Sequence, residues 1–331
     1  MANHQIIHVD GLSKYYQVPV REAGLKASLK SLFKREYNEI KAVDQISFAI
    51  EPGEVVGFLG PNGAGKTTSL KMLSGLLYPT AGAVDVLGYT PSQRKADFMQ
   101  QITLVMGNRS QLSWDLPALD SFDLQRAIYQ IPVAEFKKTR DEFIEMLDLQ
   151  EKVKKPVRNL SLGERMKVEI VGALLHKPKV LFLDEPTIGL DVTMQRRIRT
   201  FVHDYNCKYG ATVLLTSHYM ADVEALCKRV IVIHNGKLLF DGRLSQLVER
   251  FSAFRTIHVT TTAFCAWEQY GQVLTQENGQ VSLRVPHART AEVTSRILNE
   301  QVVQDLTVEA PPIEDVIEKV FSQKSAEETP A

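Results

Sequence analysis

The 331-residue chain has no run of about 18 apolar residues, the length a helix needs to cross a bilayer, so it does not span a membrane by itself. It carries no net charge either, because 39 basic side chains balance 39 acidic ones. A protein that coats nucleic acid usually has a basic excess, so nucleic acid is not expected as a partner. Cysteine is scarce. Cys207, Cys227 and Cys265 are odd in number, widely spaced, and accompanied by no CxxC or Cys/His cluster. That excludes a small disulfide scaffold and reads as free thiols in a reducing compartment, with cytoplasm as the default. The N-terminal MANHQIIHVD lacks a basic region followed by a long apolar core, so no secretory signal is expected. What is present is an ordinary globular mixture, 44% hydrophobic and 24% charged. The length suits about two domains.

Apolar, β-branched segments lie at 5–10 and 42–60, the second interrupted by a Pro52-Gly53 turn. Between them, 17–41 is polar and basic. Leu25, Leu29, Leu32 and Phe33 fall there at helical spacing, flanked by Lys26, Lys30, Lys34 and Arg35, which predicts a short basic amphipathic helix. Its apolar stripe suits either a membrane surface or partner helix, or the chain's own core edge. From 54 to 87 the order is strand, Gly-rich loop, helix, strand. Residues 118–175 read mostly helical. Then KVLFLD, TVLLTS and RVIVIHNG alternate with helices near 193–209 and 219–227, which predicts a buried parallel sheet with helices on its faces. After about 245 the texture changes. FRTIHVTT reads as a strand, Asn278-Gly279 marks a hairpin, and a helix at 287–299, a strand at 302–310 and a helix at 313–322 follow. This is a small α+β domain.

The segment Gly60-Pro61-Asn62-Gly63-Ala64-Gly65-Lys66-Thr67-Thr68 fits GxxxxGK[ST], after a strand and before a helix. Glycines let the loop wrap tightly and aim its N–H groups at phosphate oxygens. The helix N-terminus adds partial positive charge, Lys66 adds a full one, and the Thr67 hydroxyl is suited to Mg²⁺. Downstream, KVLFLD ends in Asp184, followed by Glu185. Carboxylates at the C-terminal end of a buried strand sit where such sheets bind ligands. Asp184 is suited to hold Mg²⁺, and Glu185 to act as general base on water. Two acidic residues alone would only open a loop; the phosphate loop upstream changes their meaning. His218, after TVLLTS, reaches the same edge, where a lone histidine would more often be structural. Leu160-Ser161-Leu162-Gly163-Glu164-Arg165 reads as a capping box opening a helix, which is also an anion-compatible helix start.

Taken in order, GPNGAGKTT, LSLGE, VLFLDEPT, Gly189-Leu190-Asp191 and Ser217-His218 resemble the ATP-binding subunit of an ABC transporter over about residues 5–242. The resemblance implies an α/β P-loop NTPase core of the ABC-ATPase kind over 1–244, with a helical subdomain at about 95–175. A C-terminal α+β accessory domain over 245–322 and a tail over 323–331 follow. It implies an ATPase using ATP and Mg²⁺. Lys66 and the loop amides of 60–68 would neutralise phosphates, and Thr67 and Asp184 would position Mg²⁺. Glu185 and His218 would activate water, and Tyr16 would stack on adenine. Ser161 and Gly163 would arrive from a second copy or a paralogous ATPase subunit. The implied partners are integral-membrane permease subunits, docked through the helical region, which places the chain at the cytoplasmic face of the cell membrane. Within the family the chain is most similar to ATPases of ABC-2-type exporters, a likeness carried by the C-terminal appendage and its closing APPIEDVIEKVF.

Two departures stand out. The family signature is usually LSGGQ; here Leu162 replaces the first paired glycine and Glu164 replaces glutamine. The Q-loop position falls on Gly107 or Asn108, with Gln111 a few residues late. The alternatives are a soluble ABC-type ATPase acting on ribosomes or DNA, and a regulatory subunit not coupled to transport. A single cassette without a long heptad run speaks against the first, and an intact Glu185 with His218 against the second. The accessory domain is expected to favour dimerisation.

Overall fold

The computed structural model describes residues 5–19, 37–107, 109–251, 254–262, 265–277, 279–311, 313 and 316–317. The chain divides into two compact units, one running to Asp241 and a second from Gly242.

The first unit holds two sheets. Strands β1 (Ile7–Pro19), β2 (Tyr37–Ile50) and β4 (Ala81–Val86) form an antiparallel sheet in the order β2-β1-β4. Strands β3 (Val55–Leu59), β5 (Ile102–Met106), β6 (Val180–Asp184), β7 (Thr212–Thr216), β8 (Arg229–His234) and β9 (Lys237–Arg243) form a six-stranded sheet ordered β5-β6-β7-β3-β8-β9. The pairs β5–β6, β6–β7, β7–β3 and β3–β8 are parallel, as the uninterrupted apolar runs predict. Every residue of β6 and β7 is buried. One hydrophobic cluster draws Ile7, Val9 and Phe48 from the antiparallel sheet and Phe58, Phe182 and Ile231 from the central one. Leu70 and Leu73 of helix α1 (Lys66–Leu73) complete it.

Parallel pairing brings the C-terminal ends of neighbouring strands to one edge. The register sets Met106, Asp184 and Thr216 in a row across β5, β6 and β7. The loops that leave these strands, together with the loop after β3, therefore share that edge.

Helix α2 (Ala96–Met99) precedes β5, and α3 (Ala118–Ile128), α4 (Val133–Met146) and α5 (Leu162–Leu174) follow it. The region expected to be helical from about 95 thus contains an edge strand of the central sheet. ITLVM is apolar enough to be covered on both faces, and length alone does not separate such a run from a helix. Helix α6 (Val192–Tyr209) starts on an Asp191 cap whose carboxylate accepts the Met194 N–H at 2.9 Å, and stops at Gly210 with φ 63°. Helix α7 (Met220–Leu226) follows β7.

Residues 17–19 extend β1 and 37–41 begin β2, paired as far as Pro19↔Tyr37. Val18, Tyr37 and Ile40 are strand formers, and pairing between the two arms overrides their polar neighbourhood. The predicted helix, with Leu25, Leu29, Leu32 and Phe33, lies outside the described residues, as do Asn108, Asn278 and the tail 323–331.

In the second unit, helix α8 (Leu244–Phe251) leads to β10 (Phe254–Thr261), β11 (Gln272–Glu277), β12 (Gln280–Pro286), helix α9 (Thr290–Glu300) and β13 (Val303–Glu309). The antiparallel sheet is ordered β11-β12-β10-β13. Glu277 pairs with Gln280, the hairpin that the Asn-Gly pair predicts. Its core joins Ile257, Leu283 and Trp267 to Val293 and Ile297 of α9. Of the helix predicted at 313–322, residues 313 and 316–317 are described, all three helical.

Candidate functional site

Gly60, Pro61, Asn62, Gly63 and Ala64 form the turn between β3 and α1, and Gly65 caps the helix at φ 103°. A Cβ on Gly65 would lie 2.3 Å from the Ala42 carbonyl of β2, and one on Gly60 would lie 2.4 Å from the Ile233 carbonyl of β8. Both positions need glycine because another strand's backbone is there. No acidic residue of the helix itself occupies the first turn of α1, whose N-terminal end carries partial positive charge. Lys66 is buried, with Nζ donating to the Gly60 carbonyl at 2.6 Å and the Pro61 carbonyl at 3.1 Å. Burial pushes its pKa down, while the Glu185 and Asp184 carboxylates pull it back up. A buried ammonium bonded to two loop carbonyls, beside a free helix start, is a receptor for a polyanion.

The Thr67 hydroxyl donates to Asp184 Oδ2 at 2.8 Å, and Thr216 donates to Asp184 Oδ1 at 2.8 Å. Thr67 and Asp184 are thus within reach of one small cation, and hard oxygen donors are what Mg²⁺ takes. Glu185 stands at φ 54°, the left-handed region that a side chain normally avoids. Its N–H is held by the Thr216 carbonyl at 3.1 Å and the Thr216 hydroxyl at 3.0 Å. His218 Nε2 lies 2.8 Å from Glu185 Oε1. A carboxylate can only accept, so Nε2 carries the hydrogen.

The remaining predicted residues are distributed around this edge. Tyr16 is 38% exposed, with the Lys14 ammonium 5.4 Å from its ring centroid. Its register partner Ile40 is two residues along β2 from Ala42, the residue against Gly65. Thr68 follows in the first turn of α1. Ser161 caps α5 in a complete capping box: its hydroxyl accepts the Glu164 N–H at 3.3 Å, and Glu164 accepts the Ser161 N–H at 3.0 Å. Leu162 is 41% exposed and lies against Gly189, while Gly163 faces Met194. Among the described residues, no hydrogen bond joins Ser161 or Gly163 to the phosphate loop of the same chain. Gln111 is turned away, its Nε2 donating to the Leu104 carbonyl of β5 at 2.6 Å. Gly107 instead meets the acidic pair, its N–H donating to the Asp184 carbonyl at 2.9 Å.

Two residues of this edge were not singled out by the sequence. Thr216 bonds both Asp184 and Glu185. Buried Asp222 accepts from Ser217 at 2.7 Å, Thr187 at 2.5 Å and Arg199 at 2.8 Å, which fixes the residue before His218. A threonine ending a strand and an aspartate in a short helix are too common to stand out without their partners.

Residues 43–188 match the family described as ABC transporter, and residues 253–309 match the C-terminal domain of EvrA-like ABC transporters. The ABC transporter ATP-binding protein NatA of Bacillus subtilis is 36% identical over 217 residues, 66% of this chain and 88% of that protein. The Nod factor export ATP-binding protein I of Ralstonia nicotianae is 34% identical over 225 residues, covering 67% of this chain and 68% of its own. A solved ATP-binding subunit of an ABC transporter superposes with a TM-score of 0.62 at 25% identity, over 74% of this chain and 93% of that one.

Proposed function

The chain belongs to the ABC transporter family of ATP-binding proteins, a P-loop ATPase subunit that energises a membrane transporter, and from that premise we propose a division of labour among its residues and an outward direction of transport. The loop amides of 60–68 and Lys66 hold the ATP phosphates, and Tyr16 stacks on adenine. Thr67 and Asp184 hold Mg²⁺, which when bound neutralises phosphate charge. His218 occupies one oxygen of Glu185, and the other takes a proton as water attacks the terminal phosphorus. The bond to the bridging oxygen then breaks, leaving ADP and phosphate.

The observation that carries this reading is the 2.8 Å contact between His218 and Glu185, at the strand edge where Asp184 meets Thr67 of the phosphate loop. Ser161 and Gly163 contribute from a second copy or a paralogous subunit. Integral-membrane permease subunits complete the assembly at the cytoplasmic face. Among the described residues no helix is long and apolar enough to cross a membrane. The export direction is supported by the similarity to the Nod factor export ATP-binding protein of Ralstonia. The domain limits proposed from the sequence are 1–244 and 245–322, set by the change of texture after about residue 245.

The test is Glu185→Gln. Equilibrium ATP binding should persist while steady-state phosphate release is abolished. Release at the wild-type rate would remove Glu185 as the base.

A further inference from the structure

Glu169 is a buried carboxylate that the ATPase chemistry does not use. It lies on α5, about two turns beyond Ser161. One of its oxygens meets the Ser110 hydroxyl, and the other accepts the Gln111 N–H at 2.8 Å. Its helix neighbours Val168, Ile170 and Val171 are buried hydrophobics. The nearby cation, Arg165, has its guanidinium 5.1 Å from the Trp114 ring centroid, and among the described residues no ion pair includes Glu169. Burial pushes its carboxyl pKa up, against the pull of the loop's hydrogen bonds and Arg165. A carboxylate kept in such surroundings without an ion pair is costly, and an apolar residue would pack there more cheaply.

What Glu169 holds gives it a task. The loop after β5 touches the acidic pair at its near end: Gly107 N–H donates to the Asp184 carbonyl, and a Cβ at 107 would lie 2.3 Å from the Glu185 carbonyl. At its far end the same loop is fastened to α5 through Ser110 and Gln111, while the Gln111 side chain pins it to β5. We infer that Glu169 is a positioning residue that clamps this loop to α5, so that a displacement of the Ser161 end of the helix reaches the backbone of Glu185. The inference rests on the reading of Glu185 as the base.

The experiment compares Glu169→Gln, Ser110→Ala and their double variant with wild type, using the full chain and MgATP. Glutamine keeps the size but turns an NH2 toward one of two donors. The expected result is a kcat about tenfold lower for Glu169→Gln, with ATP affinity within about twofold of wild type. The double variant should fall no further than the worse single one, because the two groups act as one contact. A kcat equal to wild type, or losses of kcat and affinity that merely follow a lower melting temperature, would overturn the clamp. If Glu169→Gln does not fold, Ser110→Ala decides alone: a lower kcat at unchanged affinity supports the clamp, and an unchanged kcat rejects it. Glu185→Gln runs in parallel. If it keeps turnover, the base reading fails and takes the clamp with it; if it abolishes turnover while Glu169→Gln is normal, only the clamp fails.

Discussion

At Glu185 the backbone is held at φ 54°, a conformation that costs a residue with a side chain about 1–2 kcal/mol. Thr216 offsets that cost by accepting the Glu185 N–H through both its carbonyl and its hydroxyl, while the hydroxyl donates to Asp184. Thr216→Val keeps the shape and removes the hydroxyl. Two polar groups then lose a partner, so the protein should lose about 1–3 kcal/mol in denaturant unfolding. Turnover should fall further than nucleotide binding does. Gly107→Ala is the complementary change. Its Cβ would lie 2.3 Å from the Glu185 carbonyl, which must move. We expect turnover to drop at least tenfold in a steady-state phosphate assay, since misplacing a reacting group by about 1 Å can cost two orders of magnitude. Lys66, Asp184 and Glu185 were legible from the sequence because each stands in a local pattern of glycines or apolar residues. Thr216, Asp222 and Glu169 were not, because their partners lie on other elements, such as Asp184 on β6, Arg199 on α6 and Ser110 after β5.

Helix α5 shows what local sequence can carry. S-L-G-E reads as a capping box and is one, because both bonds close within four residues. Its Glu164 has a pKa of about 2, held below the usual 4.5 first by the Lys152 ammonium and then by the Ser161 N–H. A depressed carboxyl contributes stability above its unfolded pKa and loses it as pH falls through the folded one. The melting-temperature advantage of wild type over Glu164→Gln should therefore shrink as pH drops from about 5 toward about 2, with glutamine keeping the cap but not the ion pair. Leu162 sits at the first helical position with its side chain half out of the protein, against Gly189. Leu162→Gly should keep the ATPase rate within tenfold of wild type, since glycine costs at most about 1 kcal/mol in a helix and less at its start. A larger fall would give the leucine a specific part in turnover. Strand β1 was less legible. Its outer half is largely exposed, and β2 pairs alongside it from Tyr37 to Lys41.

The compact division after Asp241 falls within β9, which runs to Arg243, so a chain ending near 245 retains every strand of the central sheet. Such a truncation should bind ATP as the full chain does. If the second unit holds two copies together as nucleotide leaves, the truncated chain will be monomeric without ATP, and light scattering on both forms decides this. The sequence by itself determined the family, the phosphate loop, the acidic strand end and the absence of a spanning run, because each is written in contiguous residues whose spacing has one physical meaning. Tertiary structure alone decided that β5 joins the central sheet, and that Gly107 rather than Gln111 abuts the acidic pair. It also decided that Glu169 fastens the intervening loop to the signature helix. These depend on contacts between segments far apart in the chain, and a contact of that kind leaves no periodicity in either segment to be read.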